Sequence, residues 1–376
     1  MSNRLSVAII GAGNEGQAMA ADLAMKGFSV NLYNRTAAEI EPIRSRGGIK
    51  AMGALEGFGK INLAGTDLKA VVSGTEVILV TTVASAHRRI AKMIARHLRP
   101  GQIVILSPGR TFGVLEFANV LRKYGCGKNI GLVEAGTSLY ISRAQGDGLV
   151  LVKSLKHELS VAVFPISDAG WIADRVKTLF PQCKFEPDVM HTSLGNMGAV
   201  IHPTALLLNW SQVEESQKPL DFYLEAITPS VAGIMERIDA ERLSLAKALG
   251  LEIPSLREWL EHSYGVRGDS LVGTIRQIEG YRGLTTPLTL SHRYVQEDVP
   301  TGLVPLASLA KLLKLETPTM DLIIDLANAY TGQDFRRSGR TVERLGIETL
   351  SKEALVRFAQ YGPEDGRKLQ MEVAAG

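Results

Sequence analysis

Leu5-Ser6-Val7-Ala8-Ile9-Ile10-Gly11-Ala12-Gly13-Asn14-Glu15-Gly16 decides the fold of the first half of this chain. Its first six residues are a short apolar run without helical period, which reads as a strand buried in a parallel sheet. The run leads directly into Gly-x-Gly-x-x-Gly. From Asn14 to Lys26 the spacing is helical, and Gly27 suits the left-handed position that closes a helix. Strand, glycine turn and helix in that order give the motif its meaning as a phosphate cradle. Gly11 permits the tight turn, Gly13 leaves the approach to a pyrophosphate clear, and Gly16 lets helix and strand pack closely. Backbone N–H groups and the helix dipole would then hold the phosphates, with Asn14 and Glu15 in the same turn. The plainer alternative is a glycine turn with no ligand.

Working outward, Phe28–Tyr33, Val77–Thr81, Ile103–Leu106 and Ile130–Glu134 read as further strands. Ala84–Leu98 between them is helical and stops at Pro100-Gly101. Alternating strands and helices predict an α/β Rossmann domain with a parallel sheet. Gly148–Pro165, rich in Val and Leu, reads as extra strands closing that domain. A boundary near Pro187 gives domains 1–187 and 188–376, the second mostly α-helical. Its amphipathic stretches are Leu220–Leu249, Ser255–His262, Leu306–Leu315 and Met320–Ala329.

Bulk composition fits two such domains. The chain has 376 residues, too many for one ordinary core, with 45% hydrophobic and 22% charged residues. Its net charge of +3 comes from basic and acidic residues intermixed along the chain, so no nucleic-acid surface is expected. Cys126 and Cys183 form neither a disulfide framework nor a Cys-x-x-Cys pair, and no metal site is expected. No apolar run has the length of a membrane span, and the N-terminal run is too short for a signal peptide. A cytoplasmic location is the expectation.

At the end of the second strand an NAD site normally carries an acidic residue for the ribose hydroxyls. Here the segment reads Asn34-Arg35-Thr36. A guanidinium in place of a carboxylate suits a 2′-phosphate, so NADP(H) is expected ahead of NAD(H). An Arg35 that stacks on adenine or faces solvent is the alternative. Thr82, at the end of a strand, should border the nicotinamide half.

In the second half, Thr192–Trp210 reads as one helix interrupted at Pro203, next to His202. Helical spacing puts Gly195, Gly198 and His202 on one face, leaving the surface beside the imidazole nearly bare. The bland reading is helix packing around a core histidine. Arg293-Tyr294-Val295-Gln296-Glu297-Asp298-Val299-Pro300, continuing through Gly302 to Pro305, reads as a loop. Unaided, its charges read as solvated surface.

Together these segments resemble the opine dehydrogenase family, which includes octopine and nopaline dehydrogenases. The resemblance runs from Gly11-Ala12-Gly13-Asn14 through Glu134 to Arg143, the Gly195–Pro203 segment, and Arg293–Pro305. It implies reductive condensation of an L-amino acid amine with a 2-oxo acid such as pyruvate, the imine being reduced by NAD(P)H. It further implies His202 as general acid/base, Asp298 as the carboxylate orienting it, and Arg293 as the clamp for the oxo acid carboxylate. Thr137 and Arg143 are candidate extensions of the substrate site. An imidazole titrating near neutrality and a planar guanidinium suit these roles on chemical grounds.

Two other readings remain at this stage. One is a related two-domain reductase of a 2-oxo or 3-hydroxy acid that needs no amine; such enzymes commonly use a lysine donor, and none follows the Asn196 segment in an equivalent place. The other is a dinucleotide-binding sensor without chemistry. Trp210, Trp259 and Tyr264 are candidates for either an amino acid pocket or core. An apolar helix in the second domain allows for a homodimer.

Overall fold

The computed structural model describes residues 5–126, 129–363 and 365–366. The chain divides into two units, one formed by Met1–Gly109 with Gly113–Val189, the other by Arg110–Phe112 with Met190–Gly376.

The first unit is built on an eight-stranded sheet. In chain order the unit's strands are β1 (Ser6–Ile10), β2 (Ser29–Tyr33), β3 (Gly48–Gly53), β4 (Gly57–Lys60), β5 (Leu63–Gly65), β6 (Val77–Val80), β7 (Ile103–Leu106), β8 (Gly131–Ala135), β9 (Tyr140–Gly146), β10 (Leu149–Leu155), β11 (Leu159–Phe164) and β12 (Cys183–Phe185). The large sheet runs β12-β11-β8-β7-β6-β1-β2-β5. Only the β11–β8 pairing in it is antiparallel. Val7, Ala8, Ile9 and Ile10 are fully buried, as a strand covered on both faces requires. Strand order reverses at β1, which pairs with β2 on one side and β6 on the other, so Gly11 emerges at the switch point where ligands of such sheets gather.

A second, four-stranded sheet, ordered β4-β3-β10-β9, was legible only in part, as the extra strands of Gly148–Pro165. The helix Asn14–Met25 packs against strands of both sheets. A Cβ on Gly59 would come 2.6 Å from the Ala21 carbonyl oxygen, so only glycine lets β4 lie on that helix. Asn14 is tied to β9: its carbonyl accepts from the Ser142 hydroxyl at 3.0 Å and its side-chain oxygen from the Ala144 N–H at 3.0 Å.

The second unit is helical, and it departs from the sequence reading in three places. Thr192–Trp210 is not one helix. Val189–Leu194 ends at Gly195-Asn196 and a new helix spans Met197–Leu208. Gly195 N–H bonds to the His191 carbonyl and Ala199 N–H to that of Asn196, so the first helix closes and the second opens across this pair. Gly195 therefore does not share the helical face of Gly198 and His202. Leu220–Leu249 is helical only over Pro229–Ala248, with the Thr228 hydroxyl accepting from Val231 N–H at its start.

The third departure concerns Arg293–Pro305, which is helical rather than a loop. Arg293–Gln296 makes one turn, Val299–Leu303 a π-helical turn, and Val304–Leu312 an α-helix. Pro300 and Pro305 each fall in the first two positions of a helical segment, where an N–H is not needed. The wide turn is closed by Leu303 N–H on the Asp298 carbonyl at 3.1 Å. Gly302 is required there, because a Cβ would meet that of Ala199 at 2.6 Å. No helix among the described residues is long and apolar enough to cross a membrane.

Candidate active site and dinucleotide cleft

In the first unit a cleft of about 720 Å³ opens at the end of β1. Gly11, Gly13, Asn14, Asn34, Arg35, Thr36 and Thr82 line it. The three glycines do different work. Gly11 has φ +120°, and a Cβ on it would press on the Thr81 side chain at 2.9 Å. A Cβ on Gly16 would overlap the Gly11 carbonyl oxygen. A Cβ on Gly13 would meet no protein atom within 4 Å. Protein packing therefore explains Gly11 and Gly16, whereas the bare face at Gly13 leaves room for something the protein does not supply.

Two buried polar atoms in the cleft lack hydrogen-bond partners among the described residues, Thr82 Oγ1 and Gln17 Oε1. An open glycine and two such atoms fit a dinucleotide whose pyrophosphate lies over the turn and whose polar groups reach the strand ends. Glu15 and Gly16 are not among the lining residues. Glu15 instead accepts from the Ser107 hydroxyl at 2.8 Å. Sequence reasoning passed over Arg89, in the helix His87–Ala95, which puts a second exposed guanidinium in the same cleft.

In the second unit the structure brings His202, Asp298 and Arg293 into one group. Nδ1 of His202 is 2.7 Å from Oδ2 of Asp298. Asp298 is fully buried, at the start of the π-helical turn, while the His202 side chain keeps 11% of its surface exposed. Tyr294 stacks on the imidazole with centroids 4.2 Å apart and planes 18° from parallel. Because Asp298 occupies Nδ1, Nε2 is the ring nitrogen open to a second partner. Burial pushes the imidazole below its ordinary 6.5; Asp298 opposes this, and the positive charges of Arg293 and Arg110 add to it. Burial would raise the carboxyl of Asp298, but Arg110, His202 and Arg293 outweigh it and hold it down to about 2.

Arg293 stands one turn before Glu297, with Nη1 3.7 Å from its carboxylate and 40% of the side chain exposed, so part of the fork can still meet another anion. The sequence reading missed Arg110 and gave Asn196, Glu297 and Tyr294 no role of their own. Arg110 is 6% exposed and lies 3.5 Å from Glu297 and 3.5 Å from Asp298. The one signal for it was a polar residue just beyond a strand end, at Pro108-Gly109-Arg110.

Thr137 and Arg143 belong to the first unit. Thr137 accepts from the ammonium of Lys156, and Arg143 lies on β9 opposite Leu151. The aromatics form a run of contacts: Phe222 against Tyr294, Tyr223 stacked on Tyr281 at 3.7 Å, and the Tyr281 hydroxyl donating to that of Tyr264 at 3.1 Å. Trp259 meets Tyr264 edge-on, and Trp210 is buried.

A cleft over a glycine turn and a buried histidine–aspartate pair in one chain are compatible with nicotinamide-dependent redox chemistry, and this chain is an NAD(P)-dependent oxidoreductase. Residues 185–331 match the family model described as NAD/NADP octopine/nopaline dehydrogenase, alpha-helical domain. Residues 6–125 match the NAD binding domain of 6-phosphogluconate dehydrogenase. An opine dehydrogenase of Arthrobacter sp. (strain 1C) is 39% identical over 345 residues, 92% of this chain and 96% of the relative. Among solved structures, octopine dehydrogenase with NADH and agmatine aligns at TM-score 0.76 and 18% identity, covering 93% of this chain and 97% of that one. Yersinopine dehydrogenase with NADP+ aligns at 0.71 and 16%, covering 93% and 98%. The chain belongs to the opine dehydrogenase family, oxidoreductases that act on CH–NH donors.

Proposed function

We propose that this enzyme condenses the amine of an L-amino acid with a 2-oxo acid such as pyruvate and reduces the product, with His202 as the acid and base, Asp298 orienting it, and Arg293 holding the oxo acid carboxylate. The observation that carries the reading is the 2.7 Å contact of His202 with a buried carboxylate, in the same unit as a half-exposed arginine. Chemically the roles follow in order. Arg293 takes the planar carboxylate as a fork. The neutral imidazole accepts a proton from the substrate ammonium, freeing the nitrogen lone pair to attack the carbonyl carbon. The imidazolium returns that proton from Nε2 to the carbonyl oxygen as the C–N bond forms, and a second proton, passed from the nitrogen to the new hydroxyl by the same ring, lets it leave as water when the C–O bond breaks and the C=N bond forms. A bound reduced nicotinamide would supply hydride to that carbon, giving a secondary amine dicarboxylate. Asp298 stabilises each charged state of the ring and fixes its tautomer.

The cofactor is read as NADP(H). Arg35 and Arg89 in one cleft, with no carboxylate at the end of β2, suit a 2′-phosphate, and Gly13, Asn14 and Thr82 suit the pyrophosphate and nicotinamide ribose. The test is a matrix of amino acids against 2-oxo acids, read by NADPH consumption and product mass. The expected product is the sum of the two substrates, less water, plus two hydrogens. Consumption with an oxo acid that is indifferent to added amino acid would overturn the proposal.

A further inference from the structure

Arg110 lies between the proton carrier and the carboxylate clamp. Its Nη1 is 3.5 Å from Oδ1 of Asp298, whose other oxygen faces His202. Its Nη2 is 3.5 Å from Oε2 of Glu297, and that same oxygen is 3.7 Å from Nη1 of Arg293. The result is one alternating row of charge: His202, Asp298, Arg110, Glu297, Arg293. The backbone is bent to place the arginine there, with φ +62° at Arg110 and +60° at Phe112. Both neighbours are anchored: the Phe112 N–H donates to the Ser193 hydroxyl at 2.9 Å, and Asn196 Nδ2 reaches the Thr111 hydroxyl at 3.2 Å. Gly198 clears the space, since a Cβ there would come 2.5 Å from Arg110 Nη1.

The geometry points to Arg110 as a positioning residue of the reaction proposed above, on which this inference rests: it fixes which oxygen of Asp298 faces His202 and couples the charge at Arg293 to the ring. Glu297 alone would neutralise Arg293, and Asp298 alone would hold His202 charged. Arg110 draws on both carboxylates, so the clamp keeps attraction for an anion and the ring stays able to lose its proton. A substrate carboxylate on Arg293 cancels positive charge at the far end of the row and so favours the protonated ring when there is an oxo acid to receive the proton. The charged or titratable groups facing His202 are Asp298, Arg110, Arg293 and the phenol of Tyr294. On Pro229–Ala248, which packs on the His202 helix, Arg242 donates to Asp239 and to the carbonyls of Leu194 and Pro254, and Asp239 also accepts from the Leu256 N–H. On Pro318–Thr331, Asp321 and Asp325 are held by Arg336.

The experiment is a titration of the His202 imidazole by NMR in histidine-labelled full-length protein, assigned by its loss in His202→Ala. Wild type is compared with Arg110→Gln, Arg110→Lys and Gly198→Ala, the last displacing the guanidinium while keeping it in the chain. Removing a nearby cation favours the charged ring, so the midpoint is expected to rise by about half a pH unit or more in Arg110→Gln. It should rise less in Gly198→Ala and stay nearest wild type in Arg110→Lys. A midpoint unmoved in both Arg110→Gln and Gly198→Ala overturns the inference; should the glutamine variant not fold, Arg110→Met decides it by the same rise, because a Cβ at 198 also lies 3.3 Å from His202 Nδ1. The titration needs no turnover. A wild type inactive on every amino acid and oxo acid pair but showing these shifts would refute the proposed function and leave only the arginine's hold on the His202 titration standing, and an active wild type without the shifts would refute the arginine's role and leave the function standing.

Discussion

Nδ1 of His202 and Oδ2 of Asp298 stand 2.7 Å apart although 96 residues separate them in the chain. The carboxylate is fully buried, and Arg110 Nη1 lies 3.5 Å from its other oxygen as an ion-pair neighbour. Loss of the ring should therefore abolish proton transfer without touching the nucleotide cleft. His202→Ala is expected to lower kcat by roughly 10² to 10⁴-fold, and Asp298→Asn, which cannot stabilise an imidazolium, to lower it in the same direction. Dissociation constants for the dinucleotide, read by fluorescence, should stay within about twofold. Near-normal turnover in Asp298→Asn would remove the carboxylate from the mechanism.

Acid should destabilise the protein in two steps. The folded His202 sits below its ordinary 6.5, so the unfolded chain binds that proton first and stability falls as pH drops below 6.5 toward the folded value. Asp298 is depressed to about 2 from 3.8, so its contribution is complete above about pH 4 and is lost as pH falls toward 2. Melting temperature against pH should show both steps, and Asp298→Asn should erase the lower one. An unchanged low-pH decline in that variant would count against the assignment.

Substitutions at two glycines of one turn should fail for different reasons. Gly13→Ala meets no protein atom, so its melting temperature should lie close to wild type while dinucleotide affinity drops about tenfold or more. Gly16→Ala collides with the Gly11 carbonyl and should cost about 1–3 kcal/mol of stability or prevent folding. If Gly13→Ala binds nucleotide as wild type does, the cleft is misassigned.

Arg35 separates the two cofactors. One charge-assisted contact to a 2′-phosphate is worth about 1.5–3 kcal/mol, so Arg35→Ser should reduce kcat/KM for NADPH by roughly ten- to a hundredfold and leave NADH nearly unchanged. Steady-state rates with both cofactors test this directly. Equal use of NADH and NADPH by the unmodified enzyme would exclude the preference.

The Rossmann half was readable because its strands are buried on both faces and its turn needs glycine for steric reasons visible residue by residue. The small second sheet was not, since Gly48–Gly53 and Gly57–Lys60 carry little apolar alternation and owe their pairing to the helix they cover. Prolines 300 and 305 suggested a loop, yet at the first turn of a helix proline costs nothing, and helical context prevailed. His202, Asp298 and Arg293 came through resemblance; the fold sets Asp298 2.7 Å from His202 and Arg293 beside Glu297. Arg110 escaped notice and Glu297 was read as surface charge because a buried ion row is a tertiary fact: Arg110 stands 187 residues from Glu297 in sequence, and no local pattern announces the pairing.

Three residues borrowed from the middle of the nucleotide-binding segment bear on how such enzymes can be re-engineered. Arg110, Thr111 and Phe112 travel with the first half of the gene but fold with the second. A chimera that exchanged the N-terminal half to alter cofactor choice would also import a foreign tripeptide into the helical unit. Expressed by itself, the stretch from Met190 onward would lack the guanidinium that its two carboxylates face. Modularity in this chain is thus less complete than a cut at one linker suggests.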